Sequence, residues 1–483
     1  MVAGFIQRLT SVALWGSLCA LFSLFVSSGA LVLSAVILVI LFGVIAVILG
    51  PQFIAAGWLI GSPTIFGFPN QVLRALPFVT MERLLLFTLV VMVFLQFAFS
   101  KRKTRWLPLE TTILVFLIYA LVSLVLHTNE IRYRNDGWLW NQYLLPMASF
   151  MVSRRIEWSD KSLKVLLAAL TFTGIFVAVI GILQSRFGID VFTVNYQKIT
   201  AGHTARAYGT FTNSHTFVAT LFIFLTISLL QYTIYKDSFV RFLFIVAMGV
   251  IAVGIVLGAS RAPWIGATLA FMIIYTKHPQ VRPLIIVGGF IVVIVGTILF
   301  VTTIEHLDGF VNRVMNFSTL AGRAAVWATA VNMISDNPLF GVGFGSASFS
   351  LHKAEYITGI GSLSAQYAVY LGIPHNEYLH VAVMLGVTGL ILFLMILVRL
   401  VKLMFQIFRD RSQNSLKSHL ALYTGAIIIA LMFNSFFSDT FVQDYFWVLA
   451  CFLAGVAAGS LDIATRQTAD HEHGGVPIES ASK

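Results

Sequence analysis

The sequence predicts an all-α polytopic membrane protein of about 12–14 transmembrane helices, with a large external loop containing short amphipathic helices. Three observations predict it. Hydrophobic residues make up 58% of the 483 residues and charged residues 11%, where a soluble globule is roughly a quarter charged. Mean hydropathy is +0.89. The apolar residues fall in runs of about 18 to 22, the length an α-helix needs to cross roughly 30 Å of hydrocarbon, and not in the alternating segments of a β-barrel.

Spans are expected at roughly 5–26, 30–49, 52–68, 81–100, 108–126, 138–153, 162–184, 215–235, 241–259, 262–276, 284–303, 376–400, 419–437 and 441–460. The third is weak, because Gly and Pro interrupt it. MVAGFIQRLT runs into apolar sequence without a small-residue cleavage signal and reads as the start of the first span. Net charge is +11, but the Lys and Arg residues cluster between apolar runs as orientation signals do, which speaks against nucleic acid as a partner. Arg8, the KRKTR run at 101–105, Arg154, Arg155, Lys161, Lys164, Lys236, Arg241, Lys277, Arg282, the cluster from Arg399 to Lys417, Arg466 and Lys483 fall on one side. They are 20 of the 31 Lys and Arg residues, so that side is cytoplasmic. An integral membrane domain is therefore expected over 1–461, with a cytoplasmic polar tail at 462–483. Cys19 and Cys451 sit in apolar stretches and offer neither a disulfide framework nor a metal-ligand spacing.

Outside lie residues 185–214, a tight turn at Ser260-Arg261 and a long loop, 304–375. In that loop, Val326, Trp327, Ala330, Val331 and Ile334 form one helical stripe, ended by Asp336-Asn337-Pro338. Such a helix can lie at the membrane interface with Trp327 at headgroup level and Arg323 one turn before it.

Three external arginines stand next to small residues: Arg206, Arg261 and Arg323. Each offers a permanently charged fork for phosphate oxygens. Each alone also fits an interfacial Arg reaching for headgroups; the three together point to a diphosphate site. His375 stands at a predicted helix start behind Pro374 and ahead of Asn376 and Glu377, where a helix N-terminus favours anions and an imidazole could take a proton from an attacking hydroxyl. An isolated edge histidine would otherwise be read as structural. GVGFGS at 341–346 lacks the Lys-Ser/Thr of a phosphate loop and reads as a flexible turn. His203, His215, His306 and His352 read as solvated loop or interface residues. The external loops hold no Asp-x-Asp pair or other metal motif, so no metal or cofactor is expected.

The run His375-Asn376, nine residues, Gly386-x-x-Gly389 resembles the O-antigen ligase and polymerase superfamily of bacterial inner-membrane glycosyltransferases. Arg206-x-x-Gly209-Thr210-Phe211 with Asn213, Ser260-Arg261, Gly322-Arg323 with Trp327, and Asp336-Asn337-Pro338 to Gly341-x-Gly343 match in order, over roughly 200–400. Ser214-His215 departs from a frequent Pro-Asn. The resemblance implies a metal-independent enzyme of surface polysaccharide synthesis, acting at the periplasmic face on a saccharide carried by undecaprenyl diphosphate, with a glycan or lipid-linked acceptor. It also allows partners in a polysaccharide assembly complex. His375, Arg206 and Arg323 are then the expected catalytic residues, and Arg261, Asn376, Glu377 and Trp327 contact substrate, with Asn376 or Glu377 setting the His375 tautomer. Polymerisation is slightly favoured over ligation onto lipid A-core or another acceptor. A polysaccharide or small-solute transporter is the alternative of another class.

Overall fold

The computed structural model describes residues 50–64, 81–99, 106–126, 139–189, 206–302, 318–345, 348–357, 372–410, 416–441 and 445–461. The expected spans 5–26 and 30–49, the tail 462–483, His203 and His306 lie outside them. Among the described residues every regular element is helical. Contacts divide the chain into two compact units, Met1–Lys101 and Arg102–Lys483. In the first, α1 (Pro51–Gly61) packs on α2 (Met81–Phe99). The weak third span is thus a helix of 11 residues, too short to cross a bilayer unaided.

The second unit begins with α3 (Pro108–Leu126), a π-helical segment Leu139–Leu144 leading into α4 (Leu145–Arg155), and α5 (Asp160–Phe187). Then come α6 (Ser214–Ile234), α7 (Ser238–Leu257), α8 (Arg261–Lys277) and α9 (Arg282–Thr302). The loop helices α10 (Ser318–Asp336) and α11 (Ser348–Tyr356) precede α12 (Glu377–Arg409), α13 (Leu416–Asn434) and α14 (Tyr445–Ala458). Among the described residues, six helices, α3, α5, α6, α7, α12 and α13, are long and apolar enough to cross a membrane. The chain is an all-α, multi-pass membrane protein. Polar caps fix where several helices start: Ser159, Asn213, Asp237 and Asn376 accept the amide hydrogens of Ser162, Thr216, Val240 and Leu379.

Helix α6 is enclosed by its neighbours, with Phe217, Phe222 and Phe224 fully buried. Gly174 and Gly181 of α5 face it; a Cβ on Gly174 would come within 2.6 Å of the Phe224 Cβ. Small residues permit this approach where lipid supplies no hydrophobic drive for helix association. Helix α14 is held to α4 by the Ser149 and Ser153 hydroxyls, which donate to the carbonyls of Val448 (3.0 Å) and Phe452 (2.8 Å). All 14 of its residues are buried, so the expected span 441–460 is an inner helix, apolar because it meets protein on every side.

The expected span 376–400 runs on to Arg409 and is broken at Gly386, whose φ of 68° and ψ of −174° lie in a region essentially reserved for glycine. The break releases backbone groups, and the turn after α10 takes them up. Val342 and Gly343 donate to the carbonyls of Val383 (2.8 Å) and Met384 (3.2 Å), and Val387 donates to Pro338 (2.8 Å). The Tyr119 hydroxyl of α3 adds a 3.0 Å bond to the Leu385 carbonyl. GVGFG is therefore no flexible turn; it completes the hydrogen bonding of a membrane helix. Helix α10 packs through Val326, Ala330 and Met333 on Phe349 of α11 and Val383 of α12. Val331, placed on the inner stripe by the sequence, is 49% exposed, because packing on α12 selects the 326, 330, 333 face.

A Cβ on Gly341 would stand 2.6 Å from the Gly386 nitrogen, and one on Gly386 would collide with the Leu339 carbonyl. Gly341→Ala and Gly386→Ala should each cost about 2–4 kcal/mol, combining a disallowed backbone with overlap. Gly249→Ala, where nothing lies within 4 Å, should be neutral. Thermal unfolding in detergent checks this, and equal midpoints for all three variants would contradict it.

Candidate active site

Four segments of the second unit contribute to the site. Pro374-His375 leads into α12, Asp439 sits on the turn between α13 and α14, Arg323 lies in α10, and Arg261 opens α8 after the Ser260 cap position. His375 has a left-handed backbone, φ 53°, uncommon for a residue with a side chain and found where the surroundings enforce it. The carbonyl just before it, of Pro374, accepts the Trp327 indole N–H at 3.0 Å, and just after it Asn376 caps α12. The ring is thereby held between two fixed points.

Asp439 is the carboxylate of the site. Its two oxygens lie 3.6 Å from His375 Nδ1 and 3.1 Å from His380 Nδ1. His380 and Asp439 are buried, whereas the His375 side chain keeps 33% exposure. Burial lowers the pKa of His375 below the usual imidazole range; the Arg323 and His380 charges push the same way and Asp439 opposes them. Burial and the nearby Arg261 also lower that of Arg323, against Asp439, although a guanidinium stays charged.

Glu377 faces away from His375. Its Oε1 accepts from the hydroxyl of Tyr143 (2.9 Å) and from Gln142 Nε2 (3.3 Å), and its Oε2 accepts from the Phe441 amide (3.1 Å). Its own amide donates to the Ser435 carbonyl at 2.8 Å. Glu377 thus clamps both ends of the turn that presents Asp439. Within that turn, Ser435 and Thr440 share a 2.6 Å bond and the Trp447 indole donates to Thr440 Oγ1 at 3.0 Å.

Trp327 is bonded to the residue before His375, Arg323 is near enough to act on His375, and Arg261 acts on Arg323 in turn. Arg206 stands beside Ala207, whose amide donates to the Leu257 carbonyl at 3.1 Å, which ties its segment to the turn before Arg261. Asn376 and Glu377 are occupied with the helix cap and the clamp, so the group facing His375 is Asp439 instead. Sequence reasoning missed Asp439, His380 and His215. A lone Asp in the few residues between two apolar runs was the available signal for the first. His215, expected to be solvated, is the second residue of α6 with its Nε2 buried, and Arg323, His375 and Asp439 are near enough to act on it electrostatically.

Truncating Glu377 strands the Phe441 amide and the Tyr143 hydroxyl in a buried place. Glu377→Ala should cost about 2–4 kcal/mol of stability, against about 1 kcal/mol for the lost cap in Asn376→Ala. Thermal midpoints in detergent measure both; Glu377→Ala melting with the wild type would remove the clamp.

Residues 246–394, which hold Arg261, Arg323, Trp327, His375 and the α12 break, match the family model described as O-antigen ligase. A Rickettsia felis protein whose assigned name is that of a polysaccharide ligase is 25% identical over 194 residues, 39% of this chain. The aligned stretch spans 46% of that relative's length, under half of it. These matches support the resemblance to the O-antigen ligase family that the motifs carry, over residues 246–394.

Proposed function

We propose that the protein transfers a saccharide from undecaprenyl diphosphate to an acceptor hydroxyl, at the periplasmic face of a bacterial inner membrane, in surface polysaccharide synthesis. The observation that carries the reading is Asp439 within 3.6 Å of the half-buried His375, in a site where Arg323 feels both that carboxylate and the charge of Arg261 on a separate helix. Like charges gathered at one place are costly unless an anion joins them, and a diphosphate leaving group is such an anion. As the anomeric C–O bond breaks, charge builds on the diphosphate and fixed Arg donors stabilise it without a metal. Arg206 supplies a further cation from the segment before α6. His375, neutral at ordinary pH and backed by Asp439, takes the proton of the attacking hydroxyl. Apolar helices below hold the polyprenyl tail.

Both the family model and the relative bear the name of a ligase, which supports transfer of a finished chain to an acceptor; the slight preference for polymerisation has no observation behind it. Deleting the gene and sizing the undecaprenyl diphosphate-linked saccharides tests this. Long chains stranded on the carrier mean ligation, single units mean polymerisation, and an unchanged pool sinks the transfer reaction.

His375→Ala should lower transfer by about 10²- to 10⁴-fold at unchanged fold, and near-normal turnover would take His375 out of the chemistry. Because the His375 pKa is lowered, activity should persist on acidification to below about pH 6.5 before failing. Asp439 raises that pKa, so Asp439→Asn should move the acid limb to still lower pH. A limb moving upward would contradict the assignment. Arg323→Lys should not restore the function of Arg323→Ala, since a point charge cannot replace the fork; donor titration of the two variants decides. EDTA should leave the rate unchanged, and inhibition reversed by added metal would contradict the arginine mechanism.

A further inference from the structure

His215 is placed as firmly as His375. Asn213 caps α6, its Oδ1 accepting from the Thr216 amide (2.8 Å) and the Thr216 hydroxyl (3.1 Å), which sets the first turn and the direction of the ring. One side of the imidazole meets Phe446, with centroids 6.5 Å apart and planes at 62°. Arg323, His375 and Asp439 are near enough to act on it electrostatically. Its Nε2 is buried and has no hydrogen-bond partner among the described residues. An unmatched buried polar atom weakens a fold, and an apolar ring of similar shape would fill the place against Phe446. The nitrogen is therefore of use to something bound.

We propose that His215 is a second substrate-contacting imidazole, its Nε2 placed to hydrogen-bond a hydroxyl of the saccharide or of the acceptor lying between Arg323, His375 and Asp439. The proposal rests on the transfer reaction above. The guanidiniums match the diphosphate; an imidazole nitrogen exchanges one hydrogen bond with a hydroxyl in either tautomer, which suits the uncharged part of the substrate.

The test compares wild type, His215→Phe and His215→Asn in detergent, with three readouts: thermal midpoint, affinity for undecaprenyl diphosphate with and without its saccharide, and KM for the acceptor. His215→Phe should melt no lower than wild type, because an orphaned polar atom has been replaced by carbon. It should lose about 10- to 100-fold, one hydrogen bond to a buried group, in one of two places. Weaker binding of the saccharide-bearing lipid alone assigns the contact to the donor sugar, and a raised acceptor KM assigns it to the acceptor. His215→Asn, which keeps a donor and an acceptor, should recover part of the loss. Unchanged affinities and KM in His215→Phe overturn the proposal, as does a lowered midpoint in both variants with matching losses for every ligand. Wild-type protein that binds the saccharide-bearing lipid without transferring it refutes the reaction, and the contact is then judged on the binding ratio alone. Wild-type protein that binds neither lipid refutes both.

Discussion

A membrane-embedded helix has no water to satisfy backbone groups that its own turns release, so the break in α12 at Gly386 persists only because residues 338–343 supply the missing partners. This exchange of hydrogen bonds joins the end of α10 to the middle of α12 at the level of the main chain. The two glycines are needed because the backbones approach so closely that neither position has room for a Cβ. Everything N-terminal to the join follows from it. Helix α10 must lie along the first turns of α12, Val326, Ala330 and Met333 must face Val383, and Arg323 and Trp327 are carried to the residues that precede α12. The position of Arg323 relative to His375 is thus fixed by contacts below the site and not by the charges in it.

A second constraint sits under His375. A buried acid such as Glu377 is tolerated only when hydrogen bonds surround it, and here three reach the carboxylate, from the Tyr143 and Gln142 side chains and the Phe441 amide, while the Glu377 amide ties the other end of the 435–441 turn. Phe441 stacks between Tyr143 and Trp447, with planes at 23° to each, which fixes the far end of the same turn. The result is a rigid seat for Asp439 beneath two imidazoles. His375 is left partly exposed above it, so one ring of the pair meets solvent and the other serves the interior.

Hydropathy made the helices legible. The ends of α3, α5, α6 and α8 fall within about three residues of those read from apolar runs, and polar caps at Ser159 and Asn213 close the starts of α5 and α6. Gly386-x-x-Gly389 was legible as a pattern, but its physical reason was not. The partner of Gly386 is Gly341, 45 positions earlier, and single-sequence periodicity holds no information on such a contact. The same holds for Val331 and Met333, which exchange roles once the surface under α10 is α12 and not lipid. At the site, the residues visible in the sequence were those with a motif or a permanent charge. Asp439 was overlooked because the runs on either side left it only a turn, and His215 because a histidine near a span end reads as solvated unless its neighbours in space are known. Arg206 and Arg261 could be named from the sequence, yet the tie between their segments is the Ala207 to Leu257 bond, across a gap of 50 residues.

The placement of the cations bears on how the proposed reaction would be timed. Arg206 precedes α6, Arg261 opens α8 and Arg323 rides on α10, so no two share an element. Their mutual repulsion is therefore set by the packing of three separate segments and has the same size whatever is bound. Arg323 feels part of that repulsion, since the Arg261 charge adds to burial in lowering its pKa. When negative charge grows on the leaving diphosphate, attraction rises while the mutual repulsion is unchanged, so the gain falls on the transition state and not on the bound donor. The low-dielectric surroundings provided by α10 and the 435–441 turn enlarge that difference. On this argument the loop helix serves less as a cover than as the arm that holds one cation near His375.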